Sequence, residues 1–149
     1  MTILITGATG KIVQHLIPSL LEQGQSVRAM VRSPDKEVAL GKQGAGTVIA
    51  SFEDPGALDK AFASVETLLL VTPPHKHATG WASAGLAAAK RAGIKRIVRI
   101  SALLAGPDGP SDNNRLHGRT DDELRACGIA SVILRPHFLC RTCWRTCLP

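Results

Sequence analysis

Residues 1–31 read MTILITGATGKIVQHLIPSLLEQGQSVRAMV, and four local segments follow one another in them. Met1 to Thr6 is an apolar run of strand length. It stops at Gly7-Ala8-Thr9-Gly10. From Lys11 on, the apolar positions Ile12, Leu16, Leu20 and Leu21, with Val13 and Ile17 beside them, recur three or four apart, the period of an amphipathic helix. Gly24 stands where such a helix stops, and Ser26 to Val31 is again short, apolar and β-branched, with Arg28 inside it. The stretch therefore predicts strand, glycine turn, helix and strand.

The alternation continues outward. Pro34 starts a modest helix to about Lys42, Gly44-Ala45-Gly46 leads into a strand at Thr47 to Ala50, and Asp54-Pro55 opens a helix through Phe62. Thr67 to Thr72 is a strand stopped by Pro73-Pro74, because proline supplies no ladder N–H. His75 to Ala92 is Ala-rich and helical, and Lys95 to Ser101 is a fifth strand. Leu103 to Asn114 carries Gly, Pro, acidic and amide residues and reads as a long loop, the kind that is functional or mobile. A helix over Arg115 to Cys127 and a sixth strand at Ala130 to Leu134 complete the pattern. Strictly alternating strands and helices predict an α/β, doubly wound parallel sheet with helices on both faces.

Composition narrows the class. With 149 residues, 44% hydrophobic, the chain has the size of one domain that buries a core, and Gly 14 with Pro 9 excludes fibrous and disordered classes. The apolar runs are too short for a transmembrane helix, and the first residues lack a secretory signal, so no membrane association is expected. Four cysteines, three of them in the last ten residues, do not make a disulfide scaffold; the expected compartment is the cytoplasm. The formal charge of +6 includes the basic residues Lys90, Arg91, Lys95, Arg96 and Arg99, which read as a solvated face. Aromatic residues for base stacking are scattered, and nucleic-acid binding is not expected. Tyrosine is absent, which excludes any step that needs a phenol.

The chemistry points to the glycine turn. Gly7 permits the tight turn and Gly10 lets backbone approach a ligand; free N–H groups at the helix start favour a pyrophosphate. The alternative is a plain strand–helix turn, and the surrounding alternation favours the nucleotide. At the end of the second strand stands Arg32, with Lys36 nearby, where an acid would suit ribose hydroxyls and a cation suits a 2′-phosphate. The competing reading of Arg32 is a solvated strand-end charge.

The stretch Ile3 to Lys36, with LLLVTPP at 68–74, RIVRIS at 96–101, LHGRTDDELRACGI at 116–129 and ILRPHF at 133–138, resembles the NmrA-like, atypical short-chain dehydrogenase family. The resemblance implies a Rossmann-like domain over 1–138 that binds NADP (NADPH) in preference to NAD. It also implies either reduction of a quinone or other small carbonyl substrate or a non-catalytic redox sensor acting through a protein partner. Carried over by position, Gly7, Thr9, Gly10, Lys11 and Ile12 form the phosphate turn, Arg32 and Lys36 the 2′-phosphate contact, and Thr72 and Pro73 the edge beside the nicotinamide ribose. Ser101 falls where related reductases place a hydroxyl, with loop hydrogen bonding as the alternative. His117 falls near a Lys of isoflavone-reductase-like relatives and is the expected proton donor, with helix capping as the alternative.

Departures accompany the match. Val13 replaces the third glycine of the family's turn and is expected to push the first helix outward, weakening the cofactor site. Ser51, followed by Glu53 and Asp54, replaces the acid that contacts adenine, which puts that contact in doubt. His75 and His77 have no nearby thiolate, so no metal site is expected. Residues 139–149, with Cys140, Cys143 and Cys147, depart from all that precedes them; a shifted frame or truncated product is favoured over a metal cluster with His137. In that case the sixth strand carries an exposed flank that invites dimer pairing.

Overall fold

A computed structural model describes residues 1–136 of the chain. The strands are β1 (Thr2–Ile5), β2 (Ser26–Val31), β3 (Gly46–Ile49), β4 (Thr67–Leu70), β5 (Arg96–Ile100) and β6 (Ala130–Leu134). The helices are α1 (Val13–Glu22), α2 (Pro34–Gly41), α3 (Pro55–Phe62), α4 (Ala78–Arg91) and α5 (Asp112–Ala126). All strand pairs are parallel, in the order β3-β2-β1-β4-β5-β6. The order reverses between β1 and β4, so a crevice opens at their carboxyl ends. The fold is the doubly wound, Rossmann-like sheet that the alternation predicts, and the chain's last residues, including His137 and the three tail cysteines, lie outside the described residues.

Two cores flank the sheet. On one face α1 and α2 close over Ile5, Ala29, Val31 and Leu69, with Val13 and Ile17 fully buried; on the other α3, α4 and α5 close over Leu4, Leu68, Leu70 and Ile97. Val13, read from the sequence as a wedge, is thus a core residue at 0% exposure. β6 is an edge strand, and its Val132 and Leu134 are 50% and 47% exposed. Among the described residues no helix is long and apolar enough to cross a membrane.

Three boundaries shift for identifiable reasons. β4 stops at Leu70 because the Thr6 hydroxyl inserts at its end: the Val71 N–H donates to Thr6 Oγ1 at 2.8 Å, and that hydroxyl donates to the Val71 carbonyl at 2.9 Å. α4 begins at Ala78, not His75, since Pro73 and Pro74 hand the chain to a turn in which the Ala78 N–H bonds the His75 carbonyl. α5 begins at Asp112, three residues before the expected start, because Ser111 caps it by accepting from the Asn114 N–H at 3.2 Å. The preceding loop is tied down at both ends: Asn114 Nδ2 donates to the Leu103 carbonyl and Arg115 Nη1 to that of Gly109, each at 2.7 Å. At its middle, a Cβ on Gly118 would stand 2.6 Å from the Gly106 Cα, so only glycine lets loop and helix touch.

Candidate functional site

The glycine turn works through backbone. Gly7 has φ +63°, a conformation that costs an L-residue about 1–2 kcal/mol, and a Cβ there would meet Val71 at 3.1 Å. α1 has Ile12 at its N-cap position and no side-chain cap. Among the described residues the amides of Thr9, Lys11, Ile12 and Val13 donate to nothing, while the Gly10 N–H closes the turn on the Gly7 carbonyl at 2.9 Å. An uncapped helix start leaves several N–H groups and the positive end of the helix dipole facing outward, the arrangement that holds a phosphate.

That turn is the floor of a cleft of about 640 Å³ at the carboxyl edge, a size ordinary for a small-molecule or cofactor site. Gly7, Thr9, Gly10, Lys11, Ile12, Arg32, Thr72 and Pro73 all line it. Lys36 does not; it lies exposed in the first turn of α2. Arg32 is exposed at the cleft and makes no ion pair or side-chain hydrogen bond among the described residues.

The far wall was less legible. Ser51, Phe52, Glu53 and Trp81 line it, and Trp81 Nε1 donates to Glu53 Oε1 at 3.3 Å. His75 stacks on Trp81 at 4.8 Å between ring centres. Asp54 is spent elsewhere, capping α3 by accepting from the Ala57 N–H at 3.0 Å. Phe52 and Trp81 come from different elements, so only the fold makes them neighbours of one cleft.

Beyond Thr72 and Pro73 the cleft adjoins a narrow crevice lined also by Ala78, Arg99, Asn113, Leu116, His117 and Thr120. Arg99 departs from the solvated face read in the sequence: it is 1% exposed, because the β5 alternation turns it, with Ile97, toward α5. Its Nη1 donates to the Ile100 carbonyl at 3.0 Å and to Thr72 Oγ1 at 3.4 Å, its Nη2 lies 3.1 Å from His117 Nδ1, and its Nε lies 3.8 Å from Asp121 Oδ1. Asp121, fully buried on α5, accepts from Ser101 Oγ at 2.8 Å and from Arg135 Nη2 at 2.9 Å. Burial lowers the Arg99 pKa to about 10 against the pull of Asp121, so it stays charged at neutral pH. Burial, then the Arg99 charge, lower the His117 pKa below its ordinary 6.5, with Asp121 opposing. Ser101 is 4% exposed and committed to Asp121.

Over residues 7–142 the chain matches the family described as NAD(P)H-binding. It belongs to that NAD(P)H-binding family, among the NmrA-like proteins. The uncapped turn and the cleft fit the family's ligand. The chain is 35% identical to quinone oxidoreductase 2 of Escherichia coli over 145 residues, covering 89% of this chain and 47% of that protein. It is 29% identical to the NAD(P)H azoreductase of Xenophilus azovorans over 136 residues, covering 91% and 48%. Its structure is similar to the E. coli NADPH-dependent quinone oxidoreductase complexed with NADPH, with TM-score 0.82 and 34% identity over 89% of this chain and 48% of that one. It is also similar to the Citrobacter sp. triphenylmethane reductase complexed with NADP(H), with TM-score 0.82 and 28% identity over 91% and 49%. The chain spans about half the length of the curated relatives it matches.

Proposed function

We propose that residues 1–138 are the nucleotide-binding part of an NADPH-dependent reductase of quinone-like or other small carbonyl acceptors. The observation that carries this reading is the uncapped N-terminus of α1 at the floor of the cleft, with Arg32 beside it and without a side-chain partner among the described residues. Thr9, Lys11, Ile12 and Val13 present amides to the pyrophosphate, and Arg32 meets a 2′-phosphate with a charge that NAD lacks. Lys36 adds to that field from α2 without lining the cleft. Thr72 and Pro73 stand between the cleft and the crevice, so the nicotinamide ribose belongs beside them and the acceptor next to His117. Bound NADPH supplies a hydride; this chain binds, orients and polarises.

A thermal-unfolding titration with NADPH and NADH in parallel tests it, since a ligand that binds only the folded state raises the midpoint. The expected result is a cooperative transition moved mainly by NADPH, with the preference lost in Arg32→Ala. Equal shifts with both nucleotides would remove the 2′-phosphate assignment. Nucleotide binding without quinone-dependent NADPH oxidation would leave a dinucleotide sensor in place of a reductase.

A further inference from the structure

The buried network at the crevice does more than hold α5 to the sheet. A guanidinium carries five N–H donors and no lone pair. The 3.1 Å approach of Arg99 Nη2 to His117 Nδ1 therefore uses the ring's lone pair, which places the only ring proton on Nε2. An imidazolium in this place would set N–H against N–H and charge against like charge. Nor is Arg99 free to swing away, because its Nη1 is held by the Ile100 carbonyl and by Thr72 Oγ1.

We propose that Arg99 is the positioning residue of this site: it fixes His117 as the neutral tautomer protonated at Nε2, so that His117 acts on an acceptor as a hydrogen-bond donor and not as the source of its proton. The use assigned to the ring rests on the reductase reading above; the tautomer stands on the geometry alone. The groups around His117 agree with a neutral ring. Arg99 faces it from β5, Asp121 lies one turn on along α5, and β4's end and α4 contribute the uncharged Thr72, Pro73 and Ala78. Asp121 is itself neutralised by Arg99 and Arg135, so its carboxylate does not draw a second proton onto the ring.

The step then balances as follows. With NADPH bound, the nucleotide would supply a hydride with its electron pair to the carbonyl carbon and be left as NADP+, the C=O π pair would pass to oxygen, and the oxygen would take its proton from water. His117 keeps its Nε2 proton throughout and stabilises the developing negative charge, as a neutral histidine with lowered pKa can.

The test is nitrogen-proton correlation NMR of the chain labelled at its histidine rings, without nucleotide, with His117→Gln identifying the signals. Between about pH 7 and 8, His117 is expected to show a bare Nδ1 and a protonated Nε2. A protonated Nδ1, or an imidazolium in that range, overturns the proposal. Arg99→Lys, which keeps a charge opposite Asp121 but loses the fork, is expected to give a mixture of tautomers; an unchanged single tautomer would show that Arg99 does not set it. Should that variant fail to fold, the unsubstituted chain still decides. With NADPH and a benzoquinone, kcat/KM is expected to stay level across the same range. A fall as pH rises across that range would make His117 the acid and overturn its assigned use. Absence of any quinone-dependent turnover, with the tautomer as stated, overturns the reductase reading and leaves the positioning by Arg99 intact.

Discussion

The cleft at the glycine turn and the crevice at Arg99 meet at Thr72 and Pro73, yet they handle polarity in opposite ways. The cleft presents the amides of Thr9, Lys11, Ile12 and Val13 and an exposed Arg32, and these donors are unspent among the described residues. The crevice buries an arginine and an aspartate and spends donors internally, from Arg99 on the Ile100 carbonyl, Thr72 and His117 and from Ser101 on Asp121, while Arg99 Nε and Asp121 Oδ1 face each other at 3.8 Å as an ion pair without a hydrogen bond. An open, unspent surface can exchange a charged ligand with water at little structural cost. A buried pair cannot lose a member without stranding the other, so it suits a part that must stay fixed. The difference predicts that damage to the crevice is read first as lost stability and damage to the cleft first as lost affinity.

The largest effect should follow Asp121→Ala, which leaves the buried Arg99 charge without its counter-ion; removing one partner of a buried pair costs about 3–5 kcal/mol. Denaturant unfolding is the measurement, and a loss under 1 kcal/mol would mean that Arg99 does not depend on Asp121. Next comes Gly7→Val, where a positive φ and the contact with Val71 act together: a loss of about 1–3 kcal/mol in stability should accompany a larger proportional loss of NADPH binding by calorimetry. Comparable binding in a folded variant would detach the turn from the ligand.

Arg32→Ala should leave the unfolding midpoint unchanged and weaken NADPH about tenfold relative to NADH, the size of a lost charge-assisted contact. Equal weakening of both would assign Arg32 a general phosphate role. The smallest effect is on pH. The folded-state pKa of His117 lies below its unfolded value, so the unfolded chain binds the proton more readily; stability is intact above about pH 6.5 and declines as pH falls through the folded pKa. His117→Gln should flatten that decline, and an unaltered slope would point to other groups.

The legibility of the two regions differs for the same reason that their physics does. Gly7, Thr9, Gly10, Lys11 and Ile12 all fall within residues 7–12, and the turn between a strand and a helix is a local event, so their grouping needs no knowledge of the fold. Arg32 followed because it ends the strand next in order. Lys36 was too far along α2, since a helix turns its first-turn side chains round its axis. Phe52 and Trp81 were visible only as scattered aromatics. The burial of Arg99 is hidden in the sequence because a basic run on a helix end and the strand after it looks solvated, whereas strand alternation exposes Arg96 and buries Arg99. Asp121 sat unmarked beside Asp122, and only one of the two faces the sheet.

The order of elements, hence the parallel sheet, and the glycine turn at the first strand–helix junction follow from local sequence, because hydrophobic period and glycine are properties of neighbouring residues. Tertiary structure alone decided which charges are spent and which remain available. Arg99, His117, Ser101, Asp121 and Arg135 come from two strand ends and one helix, and whether a side chain there meets water or a partner depends on the packing of α5 against the sheet.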